Sequence, residues 1–183
     1  VTYAEKHYGE GEGTGEKILN PVTQIYLEEG AVFTLDTAQI GGVDSTVRKT
    51  EVYMEADSKL YVMEKLMTHD SQTAVSDMTV EMNGAGSSAQ IVSRSVAKGN
   101  SVQTFHPIAI GNALCHAHVQ CDSIIMDKAQ ISSIPEINAR DIDAQIIHEA
   151  AIGRINNEQI LKLRTFGMTE EEAEAVIIED FLA

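Results

Sequence analysis

Between Pro21 and about Ile147 the chain is a succession of short runs in which apolar and polar residues alternate, each closed by Gly, Asp, Asn or Ser. Thr23-Gln24-Ile25-Tyr26-Leu27, Ala31-Val32-Phe33-Thr34-Leu35, Glu51-Val52-Tyr53-Met54 and Lys59-Leu60-Tyr61-Val62-Met63 are early examples. Met78–Met82, Ala89–Val92, Ala113–Val119, Ser123–Met126, Ala129–Ile131 and Ala144–Ile147 continue the pattern. A period of two puts neighbouring side chains on opposite faces, so strands are predicted rather than helices. A small–polar–aliphatic unit also recurs, as Ala89-Gln90-Ile91, Ala129-Gln130-Ile131 and Ala144-Gln145-Ile146, the last two 15 residues apart. Repetition of one strand–turn unit points to stacked rungs of a β-solenoid. A β-sandwich or jelly roll, with the same short strands and no repeat, stays open on pattern alone.

The character changes after Glu149. Asn156 or Asn157 is placed to cap a helix carrying Ile160, Leu161 and Leu163 to about Arg164, with Gly167 as its stop. Thr169 with Glu172 forms a capping box opening a second helix, whose Ala173, Val176, Ile177 and Phe181 make an apolar stripe. The expected organisation is a lead-in over residues 1–20, a β core over 21–147 and a small helical region over 148–183. Glu170, Glu171 and Glu172 at the start of the second helix exclude it as a DNA-reading helix. Its stripe is expected to cover the open end of the β core or to dock a partner.

With 28 Asp plus Glu against 13 Lys plus Arg, the net charge is −15. A field of that sign repels phosphate backbones and anionic lipid, which excludes direct nucleic-acid and membrane-surface binding. No apolar run reaches the roughly 20 residues of a membrane-spanning helix. Aromatic residues are 5% of the chain and Trp is absent, so the core rests on Val, Ile, Leu, Met and Ala. The chain opens at Val1 on sequence of mid-domain character, and a fragment with a missing upstream region is expected. Its two cysteines, Cys115 and Cys121, would lie about 20 Å apart along a strand, which argues against a disulfide and for a reducing cytoplasm.

Chemistry-bearing residues gather in Cys115-His116-Ala117-His118-Val119-Gln120-Cys121-Asp122-Ser123 and in His148-Glu149-Ala150. On a strand, Cys115, Ala117, Val119 and Cys121 share one face and His116, His118 and Gln120 the other. The cluster is therefore not a ready four-ligand zinc site, and its spacing matches no standard one. Leu114 and Ala117 make Cys115 a buried structural thiol, while Asp122 and Ser123 place Cys121 at a strand end, exposed and reactive. A Cys121–His148 hydrolytic scheme lacks any sign of an oxyanion hole. Gly-Glu-Gly-Glu-Gly-Thr-Gly at 9–15 resembles a phosphate loop only superficially, because Glu10 and Glu12 would meet phosphate with like charge. His7, His69 and His106 have no evident partners.

Cys121-Asp122-Ser123, Ile134-Pro135-Glu136-Ile137, His148-Glu149-Ala150 and Gly153-Arg154-Ile155 occur in order, followed by Glu158-Gln159-Ile160-Leu161, Leu163-Arg164 and Gly167-Met168-Thr169-Glu170-Glu171-Glu172-Ala173. This ordered set resembles the SufB/SufD family, scaffolds of the Suf iron–sulfur cluster assembly system. The resemblance is dense over about residues 110–181. It is looser upstream, where Glu5-Lys6-His7-Tyr8-Gly9 is similar to the family's lead into its β-helix.

The resemblance implies a right-handed parallel β-helix followed by a small helical region. It implies side-by-side pairing with a SufB/SufD-like partner or a second copy through the end of the β-helix. It also implies a SufC-like ABC ATPase bound by the C-terminal helices, a sulfur-donor protein, and a transient iron–sulfur cluster. Cys121 matches the family's scaffold cysteine, Glu149 matches the Glu of SufB's Glu-His-Glu-Ala stretch, and His148 matches the neighbouring His. Cys, His and Glu together make the chain SufB-like, with Cys121, His148 and Glu149, two rungs further on, as metal and cluster ligands or as groups that admit iron. Lys162 and Phe166 depart from the family's aromatic and arginine positions near the ATPase contact. No residue matches the cysteine that receives sulfur in the body of SufB's β-helix. The protein is expected not to be an enzyme itself, ATP hydrolysis belonging to the partner. Two alternatives stand beside this. One is a β-solenoid interaction module of the same family without cluster chemistry; the other is a small zinc protein or hydrolase using Cys115, His116, His118 and Cys121.

Overall fold

The computed structural model describes residues 1–10 and 14–183. Of the glycine-rich run at 9–15, the central Gly11-Glu12-Gly13 lies outside the described residues. In chain order the elements are β1 (Thr2–Tyr8), β2 (Ile18–Leu19), β3 (Val22–Leu27), β4 (Val32–Gly41), β5 (Ser45–Met54), β6 (Lys59–Thr68) and β7 (Thr73–Met82). They continue as β8 (Ser87–Ala97), β9 (Val102–Gly111), β10 (Cys115–Ile125), β11 (Gln130–Ser133), β12 (Glu136–Ala139), β13 (Gln145–Gly153), α1 (Asn157–Thr165) and α2 (Glu170–Leu182).

The strands alternate between two parallel sheets. One runs β1-β4-β6-β8-β10-β13, and the other runs from β11 through β9, β7 and β5 to β2, with β12 also on β9 and β3 also on β5. Every pairing is parallel. Each coil thus contributes one strand to each sheet, which makes a flattened β-solenoid and removes the sandwich alternative. The strands pass both limits expected for the β core, since β1 and β13 are the first and last members of the first sheet.

Apart from the longer step from β1 to β4, contacts between adjacent coils span 27 to 29 residues, and the register defines inward columns. One column is aliphatic: Leu35, Val62, Ile91 and Val119 stack in turn, and His148 follows on the fifth coil. The Ala-Gln-Ile units do not mark this repeat. Ala89 stacks on Ala117 and then on Ile146, so the third unit is out of step with the first, and the second lies on the opposite sheet. The turns carry the coil instead: Asp57, Asp70, Asp127, Gly86 and Gly99 all adopt positive φ. Asp is among the few residues besides Gly that enter that region readily.

Asn156 caps α1 through the Glu158 amide, and Gly167 follows the helix at φ 94°. The Thr169–Glu172 capping box opens α2. The helices do not close the end of the solenoid. α2 lies across the outer side of the first sheet, where Leu182, Ile178 and Phe181 pack with Val96, Met126, Met67 and Ile124. Lys98 pairs with Glu174 at 3.2 Å and Arg94 donates to the Phe181 carbonyl at 3.3 Å, fixing the helix there. Ala173 and Phe181 of the expected stripe turn inward, whereas Val176 is exposed. Among the described residues, no helix is long and apolar enough to cross a membrane.

Candidate functional site

β10 obeys the parity read from its sequence. Cys115, Ala117, Val119 and Cys121 are buried on the inward face, while His116 is exposed and His118 and Gln120 are half-buried on the outward face. Parallel pairing sets Val119 beside His148, Gln120 beside Glu149 and Cys121 beside Ala150. His148 therefore points inward and Glu149 outward. Cys121 Sγ stands 3.2 Å from His148 Nε2. Glu149 Oε2 instead meets His118 Nε2 at 3.4 Å on the other face. The three residues expected as one ligand set are thus divided by the sheet: Cys121 and His148 meet, and Glu149 does not join them. His148 lies in the next coil, not two rungs away: it is the register partner of Val119 and reaches Cys121 diagonally, 27 residues apart in sequence.

Cys121 is not an exposed strand-end thiol. It is 3% exposed, because β10 continues through Asp122 and Ser123 to Ile125. Asp122 turns outward and accepts from Gln120 at 2.7 Å, while Ser123 turns inward against Ser95 Oγ at 2.8 Å. Both residues satisfy their polar groups within the sheet, Asp122 on its own strand and Ser123 on the neighbouring β8, so neither ends the strand. Cys115 is buried as expected, and both thiols are free.

Cys121 belongs to a polar column beside the aliphatic one: Glu5, Thr37, Glu64, Ser93 and Cys121 stack in register. The second sheet faces it with Arg48, Ser76, Phe105 and Ser133, also in register. Across the interior Arg48 donates to Thr37 Oγ1 at 2.9 Å and lies 3.9 Å from Glu64. Ser76 donates to Glu64 at 2.9 Å. His7 contacts both Glu5 and Arg48, so it has the partners its sequence neighbours did not reveal. His69 pairs with Asp70 at 2.7 Å and His106 with Asp77 at 3.5 Å, both on the surface side. Glu64, Ser93, Cys121 and Ser133 line one narrow cavity. Ser133 Oγ is buried there with no hydrogen-bond partner.

These surroundings set the protonation states. Burial pushes the Cys121 thiol from its ordinary 9.0 up to about 11; nearby Ser133 offsets part of this, and the Glu64 and Asp122 carboxylates add to it. Ser133 acts by proximity, since its hydroxyl makes no well-formed bond. Burial lowers His148 below its ordinary 6.5. At neutral pH the pair is a neutral thiol in contact with a neutral imidazole, not a thiolate–imidazolium couple. The activated nucleophile that a Cys–His hydrolase requires is therefore lacking here. A soft metal centre sets different terms, because it takes a neutral imidazole as it stands and displaces the thiol proton itself. A tetrahedral ion holding one S and one N ligand separates them by about 3.5 Å, close to the distance between Sγ and Nε2. The donor chemistry fits, but the pair supplies two ligands only. Among the described residues no three His, Cys, Asp or Glu side chains form an assembled metal site.

The fold and this inward thiol–imidazole pair define a parallel β-solenoid carrying soft-metal donors at its last coil and two helices on its flank. Residues 23–181 match the family described as SUF system FeS cluster assembly, SufBD core domain. The chain belongs to that family. It is 28% identical to an iron–sulfur cluster assembly SufBD family protein of Methanocaldococcus jannaschii, over 99% of this chain and 57% of that protein. It is 29% identical to a Pyrococcus horikoshii protein of the same description, over 100% of this chain and 55% of that protein. A Mycobacterium tuberculosis member is 30% identical over 52% of this chain and 12% of its own length. The chain spans just over half the length of these archaeal relatives.

Proposed function

We propose that the chain is a scaffold component of iron–sulfur cluster assembly, in which Cys121 ligates the nascent cluster as a thiolate and His148 is the neighbouring donor. The observation that carries this reading is the 3.2 Å approach of Cys121 Sγ to His148 Nε2 at the last coil of the solenoid. The cluster is cargo, and the remaining ligands come from sulfide and from a second protein. Among the described residues β13 has no strand on its outer edge, which supports pairing there with a SufB/SufD-like partner or a second copy. Glu149, on the opposite face, serves to admit iron rather than to share the Cys121 site. In this reading the helical flank receives a SufC-like ABC ATPase, which hydrolyses ATP while this chain performs no chemistry of its own, and a sulfur-donor protein supplies sulfur. The setting is the cytoplasm.

Anaerobic reconstitution with ferrous iron and sulfide, followed by optical and Mössbauer spectra, tests the assignment. Wild type is expected to hold a cluster that Cys121→Ala loses and His148→Ala weakens. Equal cluster content in wild type and Cys121→Ala would sink it.

The depth of Cys121 and its high pKa favour a second reading, a solenoid interaction module whose buried thiol is only structural. That reading expects co-purification with the ATPase and with a SufB/SufD-like chain, unchanged by Cys121→Ala, and no iron in either.

A further inference from the structure

His118 is the residue that the reading of this site leaves unused. It points outward from β10, away from Cys121, and its ring meets Glu149 from the next coil. His116 lies on the same face two residues earlier and is exposed. All three side chains line one open cleft with Tyr61, Gln90 and Ile147. We propose that His116, His118 and Glu149 form a binding site for a divalent first-row transition-metal ion on the outer face of the solenoid.

Three observations carry it. First, the 3.4 Å between His118 Nε2 and Glu149 Oε2 is longer than a good N–H···O hydrogen bond. It equals the edge between two donors held about 2.1 Å from a tetrahedral ion. Second, His-x-His on a strand puts two imidazoles on one face about 6.6 Å apart along the backbone. The parallel neighbour then adds a carboxylate, giving the two-His–one-carboxylate set that suits iron and its neighbours in the series. Two donors already touch, and the exposed His116 ring has the rotamer freedom to swing in as the third. Third, the site is open to a hydrated cation: the Glu149 side chain is 64% exposed and the His118 side chain 29%. A chain of net charge −15 concentrates such cations at its surface. Water fills the remaining coordination positions, as the cleft's openness allows.

The face parity separates this site from the inward pair. Its binding of the ion is independent of Cys121; its meaning, uptake of ferrous iron close to the cluster position, rests on the proposed assembly function. Sheet β10–β13 then carries a metal-collecting face and a thiol face, one residue out of phase.

The test is titration of the 183-residue chain with Co²⁺ alone, followed by visible absorption and calorimetry, and repeated with Fe²⁺ under anaerobic conditions. Amide resonances provide the map, since paramagnetic Co²⁺ broadens those nearest to it. One equivalent is expected in wild type and in Cys121→Ala, with broadening centred on His116, His118 and Glu149. His118→Ala and Glu149→Gln are expected to weaken binding by at least about tenfold, the loss that even groups behind metal ligands cause. His116→Ala is expected to weaken it in the same direction. These are surface changes, so unchanged far-ultraviolet circular dichroism confirms that each variant is folded. Unaltered affinity in His118→Ala, absence of binding in wild type, or loss in Cys121→Ala as large as in His118→Ala would each overturn the proposal. The last result would place the ion at the inward pair. Intact Co²⁺ binding beside failed cluster reconstitution would keep this site and reject the assembly reading.

Discussion

On β10 and β13 two pairs of side chains sit back to back. Cys121 with His148 faces the interior, and His118 with Glu149 faces solvent. Both strands are shared, and the two faces differ by one residue of register. Their chemistry diverges because Cys121 is buried and His148 partly so, whereas Glu149 stands in water. Inside, burial holds Cys121 protonated and His148 neutral. Outside, the carboxylate keeps its hydration and its freedom to meet a cation. A β-solenoid thus places a protected donor pair and an accessible one a sheet's thickness apart, with no dedicated loop.

The largest effect should come from breaking the interior that supports the inner pair. Glu64 is 2% exposed and lies against Arg48 and Ser76. Glu64→Ala leaves a buried guanidinium without its counter-charge and is expected to cost about 3–5 kcal/mol in urea unfolding. Glu149→Ala, on the other face, should stay within about 1 kcal/mol, as exposed ion pairs do. Similar losses in the two variants would erase the distinction between the faces.

Alkaline pH should come next. A thiol whose folded pKa lies above its unfolded 9.0 contributes its full stability below pH 9.0, and that contribution fades as pH rises toward about 11. The loss over that window is about 2–3 kcal/mol at most, from 1.36 kcal/mol per pKa unit. Cys121→Ala should flatten this limb relative to wild type, and parallel stability–pH curves would show that Cys121 titrates as a solvated thiol. Alkylation by iodoacetamide provides a kinetic counterpart. At pH 8 the native chain should react far more slowly than the urea-unfolded chain, since both thiols are buried.

A smaller effect is expected at acid pH. The folded pKa of His148 is depressed, so its contribution is present above the unfolded 6.5 and is lost as pH falls through the lower folded value. His148→Leu should make the acid limb shallower in urea unfolding followed against pH. An acid limb unchanged from wild type would mean that His148 is as solvated in the folded chain as in the unfolded one.

Several of these features were legible in the chain itself. Alternation gave the strands, and the parity of Cys115 to Cys121 correctly separated thiols from imidazoles. Asn156, Thr169 and Glu172 marked the helix starts, because caps are local chemistry. The pairing of Cys121 with His148 came from resemblance rather than pattern, yet a signal was present: their separation of 27 residues falls within one strand pleat of a full coil. Missing from that reading were Glu64, Arg48 and Ser133, whose inward positions looked like ordinary polar alternation. His118 was missed as the partner of Glu149 because its neighbour is set by coil length, which the Ala-Gln-Ile units did not mark.

The sequence by itself determined which residues share a strand face, where helices begin, and that the interior would rest on aliphatic residues. Those are consequences of local geometry, period two in a strand and capping in the first turn of a helix. Only the tertiary structure decided which strand faces meet. It set His148 on the aliphatic column of Val119, turned Glu149 away from Cys121, buried Cys121 and laid α2 along the flank. The reason is register: contacts 27 to 29 residues apart depend on the length of every turn between them. Moving one strand by a single residue would exchange its inward and outward sets, and with them the partners of Cys121.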